Sequence, residues 1–130
     1  EMLYKEKDIA LMAVGSMVKV AEEVREALKE KGLSCTLVNA RFVKEFDKEL
    51  IKDLAADHKL LVTLEENVAT GGFGERVVDY VASNQIDLFV EKIALPDMYV
   101  EHGNVNILYR DAKIDGDSVV ERILTALEEI

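Results

Sequence analysis

A chain of 130 residues with 49% apolar side chains is sized for one domain with a real core. Its net charge of −10, with no cluster of Lys or Arg to offset it, speaks against nucleic acid or acidic lipid as a partner. No apolar run is long enough to cross a bilayer, so a membrane protein is not expected.

The first eight residues are charged and lack the apolar centre of a signal peptide. The chain does not begin with methionine, which hints at a piece of a longer polypeptide. Residues 2–5 read as a short edge strand. Residues 8–14 are almost continuously apolar, as in a strand covered on both faces. Gly15 breaks that strand, and Ser16 is placed to cap a helix running to about residue 31. Met17, Val20, Val24 and Leu28 recur every three or four residues and form its buried stripe. Gly32 stands at the C′ position, where a left-handed residue ends a helix.

Residues 33–39 form the second long strand. It holds Cys35, whose apolar neighbours mark it as a packing thiol; as the single cysteine it rules out an internal disulfide and suits a reducing cytoplasm. A connection over 40–46 leads to Asp47, which is placed to cap a short helix with Leu50, Ile51 and Leu54 inward. His58 closes that helix and complements its dipole. Residues 59–64 are the third strand. A glycine-rich turn follows, then a helix with Phe73, Val77 and Val81 on one face. Residues 88–93 are the fourth strand, and Pro96 opens an irregular segment to about 110. Asp115 or Asp117 caps a last helix that buries Val120, Ile123, Leu124 and Leu127. Strands alternating with helices argue for a mostly parallel sheet with helices on both faces, in a single α/β domain.

The turn Thr70-Gly71-Gly72-Phe73-Gly74 has neither the spacing of a dinucleotide fingerprint nor the lysine of a P-loop. Glu65, Glu66 and Glu75 surround it, with only Arg76 as a nearby cation. A phosphate there would meet a negative field, so the turn is read as a backbone device. Glu65 and Glu66 end the third strand, where open α/β sheets gather ligands. Neighbouring strand residues point to opposite faces, so the two do not form a carboxylate dyad. Accepting backbone N–H bonds or facing another domain suits them better. His102, between Glu101 and Gly103, has no nucleophile or metal ligand set near it in sequence. Loop packing or a domain contact is preferred for it over proton transfer. One cysteine and two separated histidines cannot make an ordinary zinc site. No serine stands in a GxSxG setting.

Four segments, in order and together, resemble the C-terminal domain of the 1-deoxy-D-xylulose-5-phosphate synthases within the transketolase superfamily. They are Ala13-Val14-Gly15-Ser16-Met17-Val18; Val38-Asn39-Ala40-Arg41-Phe42-Val43-Lys44; Val62-Thr63-Leu64-Glu65-Glu66-Asn67-Val68 with Gly71-Gly72-Phe73-Gly74; and Leu95-Pro96-Asp97-Met98-Tyr99-Val100-Glu101-His102-Gly103. Glu45 and Ala94 depart from the pattern, where the family usually has proline and often glycine. The resemblance implies a three-layer α/β/α fold with a five-stranded mixed sheet, residues 2–5 being its antiparallel strand. It implies a cytoplasmic, homodimeric parent that joins pyruvate to glyceraldehyde 3-phosphate with loss of carbon dioxide, using thiamine diphosphate and magnesium, for isoprenoid, thiamine and pyridoxal synthesis. The cofactor-binding and catalytic segments of that parent lie in other domains. This chain is therefore expected to bind no cofactor or metal, to hold no catalytic residue, and to meet the other domains or the second subunit through Glu65, Glu66, Asn67, Gly71, Gly72, Phe73, Gly74, Glu101 and His102. Rival readings are the matching domain of a transketolase or of a 2-oxo acid dehydrogenase β subunit, and a free-standing flavodoxin-like binding or regulatory domain.

Overall fold

The computed structural model describes residues 2–4, 6–40, 48–68, 72–95 and 115–130. Among them the elements run β1 (Met2–Tyr4), β2 (Asp8–Ala13), α1 (Met17–Glu30), β3 (Cys35–Asn39), α2 (Lys48–Asp57), β4 (His58–Val68), α3 (Phe73–Ser83), β5 (Phe89–Leu95) and α4 (Gly116–Glu129). The strands form one sheet in the order β1-β3-β2-β4-β5. β1 lies antiparallel to β3 and all other pairs are parallel, so the sheet is five-stranded and mixed. Met2 pairs with Val38, which puts residue 2 at the carboxyl end of β3.

β2 occupies the centre because its residues are apolar on both faces. Ile9, Leu11 and Ala13 pack with α1 and α4, whereas Ala10 and Met12 pack with α2 and α3. Each of these five residues is at most 2% exposed. The strand's period of two thus divides one run of sequence between two cores. α1 presents its expected stripe, with Ala21 added to Met17, Val20, Val24 and Leu28. Arg122 clips α4 to the sheet, donating from Nη2 to the Glu91 carboxylate and to the Lys92 carbonyl, each at 2.8 Å.

Several expectations need correction. Ser16 has helical backbone and its hydroxyl makes no cap bond; the first turn of α1 closes instead through Met17 N–H to the Val14 carbonyl and Val18 N–H to that of Gly15. β3 starts two residues later than expected because Leu33 belongs to the helix stop. Leu33 N–H bonds to Leu28 and Gly32 N–H to Lys29, the paired bonds of a Schellman motif, with Gly32 at φ 83°. β4 runs from residue 58 to 68, because its pairing with β5 continues past Leu64. On α4 the buried residues are Val119, Val120, Ile123 and Ala126, while Leu124 and Leu127 are only partly covered. Asp115 rather than Asp117 is the N-cap, through its extended backbone and its carbonyl, which accepts Val119 N–H at 3.0 Å. The Asp47 cap, most of the 40–46 connection and the irregular segment to 110 lie outside the described residues.

Candidate functional site

β2 and β4 are neighbours, yet the chain leaves β2 for α1 on one face and leaves β4 for α3 on the other. Connections that diverge in this way open a crevice at the carboxyl ends of the two strands, the usual ligand position of such sheets. The glycine-rich turn borders it. β4 also bulges there: Glu65 pairs with Ala94, but Val68 pairs with Leu95, leaving Glu66 and Asn67 as extra residues.

Glu65, near the end of β4, turns its carboxylate to the start of α3. Its side chain is buried, the residue being 2% exposed. Oε2 accepts the Phe73 N–H at 2.8 Å and Oε1 accepts the Gly74 N–H at 2.9 Å. These are the first two amides of α3, which have no partner within a helix. A carboxylate at this end also meets the positive pole of the helix dipole. Gly72, at the N-cap, offers no side chain for the purpose, so the cap comes from the preceding strand. Gly74 is required by contact: a Cβ there would stand 2.6 Å from Thr63 Oγ1 and 3.3 Å from Glu65 Oε1. The Thr63 hydroxyl is itself buried and, among the described residues, without a hydrogen-bond partner.

A diphosphate does not fit these residues. The helix amides are held by a carboxylate and the space at Gly74 is closed by Thr63, so no binding step is assigned to the turn. Among the described residues, no group of three or more His, Cys, Asp or Glu is arranged to hold a metal ion.

Of the residues singled out from sequence, Glu65, Gly72, Phe73 and Gly74 come together here, and all four are buried in this fold. Glu65, Phe73 and Gly74 thus set the turn from inside rather than offering surface. Glu66 and Asn67 give backbone to the bulge; their side chains, and all of Gly71, Glu101 and His102, lie outside the described residues.

At the opposite end of the sheet is a network that sequence reasoning missed. His58 Nδ1 lies 2.8 Å from the Leu54 carbonyl and 2.7 Å from Asp57 Oδ1. With two acceptors, that nitrogen carries the proton. In the neutral ring, Nε2 then accepts the Thr36 hydroxyl at 2.7 Å, while Thr36 Oγ1 accepts the Glu6 N–H, also at 2.7 Å. His58 does meet the end of α2, as expected, through a hydrogen bond to its last turn. Thr36 and His58 are separated by 22 residues, so no local signal joins them. Cys35 is buried, as expected of a packing thiol. Burial first, and then Glu6, push its pKa up to about 12, against the pull of Arg25.

A family model, transketolase C-terminal domain, matches residues 1–119. A curated relative named 1-deoxy-D-xylulose-5-phosphate synthase, from Lachnoclostridium phytofermentans, is 43% identical over 124 residues, covering 95% of this chain and 20% of that protein. One of the same name from Dictyoglomus thermophilum is 35% identical over 130 residues, 100% of this chain and 21% of its own. The chain thus spans about one fifth of the length of these relatives. Among solved structures, a split gene transketolase in an inactive β4 tetramer superposes with a TM-score of 0.89 at 26% identity, covering 98% of this chain and 42% of that one. A Campylobacter jejuni transketolase at 19% identity and TM-score 0.64, covering 93% of this chain and 17% of that one, shares the fold. The chain belongs to the transketolase C-terminal domain family.

Proposed function

We propose that this chain is the C-terminal structural domain of a longer 1-deoxy-D-xylulose-5-phosphate synthase. It braces the catalytic domains, extends the dimer interface and carries no catalytic residue. The parent condenses pyruvate with glyceraldehyde 3-phosphate, releasing carbon dioxide, with thiamine diphosphate and magnesium held by its other domains in the cytoplasm. A cofactor of this kind carries the carbanion chemistry, and protein groups orient it.

The observation that carries this reading is Glu65. In the crevice where this fold class takes a ligand, the chain has satisfied its own helix amides with its own carboxylate. A second observation concerns geometry. Residue 2 sits at the carboxyl end of the sheet, the end that also bears the glycine turn. A segment preceding it would join at that end of the sheet. Glu66, Asn67, Gly71 and Gly72, with Glu101 and His102, are the contacts proposed for the remainder of the enzyme, and the bonds from Phe73 and Gly74 to Glu65 fix the start of α3 beside Gly72. The synthases, at 35–43% identity, favour this parent over a transketolase, represented by the split gene protein at 26%.

The size of the natural polypeptide tests the reading. An antibody raised against this chain is expected to reveal, in source cells, a band about five times its mass, in line with the one-fifth coverage. A band at the chain's own 14.6 kDa would favour a free-standing domain and overturn the proposal.

A further inference from the structure

The amino end of the sheet, away from the glycine turn, holds a cleft of about 680 Å³. Phe89 and Ile130 line it, exposed by 39% and 53%. They are the large apolar side chains left exposed among the described residues. Asp8, Asp57 and Asp87 also line the cleft, with Lys59 and with His58, whose Nδ1 lies 2.7 Å from Asp57 Oδ1. The backbone adds to this negative field. The end of α2 lines the cleft itself, and the residues just after α3 and α4 complete it. None of these three helices has a basic residue in its last turn. The carboxyl ends of α3 and α4, where Lys or Arg would normally offset the dipole, thus lie beside an apolar hollow that carries three carboxylates, while the Leu54 carbonyl at the end of α2 is bonded to His58.

We propose that this cleft docks a basic segment of another protein, one that sets an aromatic or aliphatic anchor between lysines or arginines. Charge complementarity selects that occupant. A second copy of this chain would bring three carboxylates against three more, on molecules of net charge −10. A purely polar cation would leave Phe89 and Ile130 uncovered. The anchor supplies affinity by burial, and the flanking charges supply orientation and rate. The inference rests on the fold alone and stands whether or not the parent is a synthase.

The test uses the ¹⁵N-labelled chain and a hexapeptide with a leucine–phenylalanine pair between two pairs of arginines. The peptide is expected to shift the amide signals of Lys59, Asp87 and Phe89, with an affinity that falls as salt rises. Asp87→Lys is expected to weaken binding by roughly fivefold or more, and Phe89→Thr to weaken it further. A counterpart with glutamates for arginines is expected to cause no shift. Should Phe89→Thr fail to fold, Asp87→Lys decides alone, since Asp87 is exposed. Shifts spread over other faces, binding unchanged by Asp87→Lys, or equal binding of the acidic peptide would overturn the proposal. So would the same amides moving on dilution without peptide, which would make the cleft a contact between copies.

Discussion

Both oxygens of Glu65 are committed to backbone N–H groups, and this has a measurable consequence. Glu65→Gln keeps the size but turns an NH₂ toward one of the two donors, leaving a buried N–H unpaired. A loss of about 1–3 kcal/mol in unfolding free energy is expected, read by urea denaturation; an unchanged midpoint would mean that the cap is dispensable. Gly74→Ala forces a Cβ to within 2.6 Å of Thr63 Oγ1. It is expected to cost about 1–3 kcal/mol, part of it recovered when Thr63→Ala is added, because the two positions touch. Additive effects of the pair would refute that contact. Cys35, with its pKa raised to about 12, stays a thiol at pH 8 and is expected to resist alkylation until the chain unfolds. Prompt labelling of the native chain would place it outside the core. At this scale the sequence was informative about chemical type. A carboxylate before a glycine turn, with no cation to hold a phosphate, suggested backbone acceptance for Glu65. The bulge at Glu66 and Asn67 was not legible, because it depends on register against a strand nearly thirty residues later.

Helix ends show what a local signal does and does not reveal. α1 and α3 stop by the same Schellman bonds. In α1 the left-handed position is Gly32, at φ 83°; in α3 it is Gln85, at φ 52°, with Ile86 N–H bonded to Val81 and Gln85 N–H to Ala82. Gly32 was readable because glycine takes that conformation at little cost. Gln85 was not, since packing imposes there a backbone that the residue disfavours. Gln85→Gly is accordingly expected to stabilise the chain by about 0.5–1 kcal/mol, seen as a raised melting temperature; a fall would show that the glutamine side chain contributes more than its strain. The stripe of α4 was displaced for a related reason. Val119 and Ala126 turn to the sheet and Leu124 and Leu127 toward its margin, a rotation set by tertiary packing that periodicity alone leaves open.

For the molecule as a whole, the alternation of apolar runs and amphipathic helices was enough for a mostly parallel sheet with helices on both faces. Residues 2–5 read as an edge strand from sequence, the resemblance made that strand antiparallel, and the pairing of Met2 with Val38 agrees with it. Neither the Thr36–His58 network nor the acidic cleft around Phe89 was visible beforehand, since each joins residues that only the strand order brings together. The resulting picture is a domain whose own carboxylate caps the helix after its glycine turn, with residue 2 at that same end of the sheet, and its far end acidic and partly apolar. The measurement that tests this most directly is release of carbon dioxide from pyruvate in the presence of glyceraldehyde 3-phosphate, thiamine diphosphate and magnesium, by the pure chain and by the natural full-length polypeptide. The account predicts turnover by the full-length protein and none by the chain above a cofactor-only blank. Turnover by the chain alone, or a full-length protein that leaves pyruvate untouched, would contradict it.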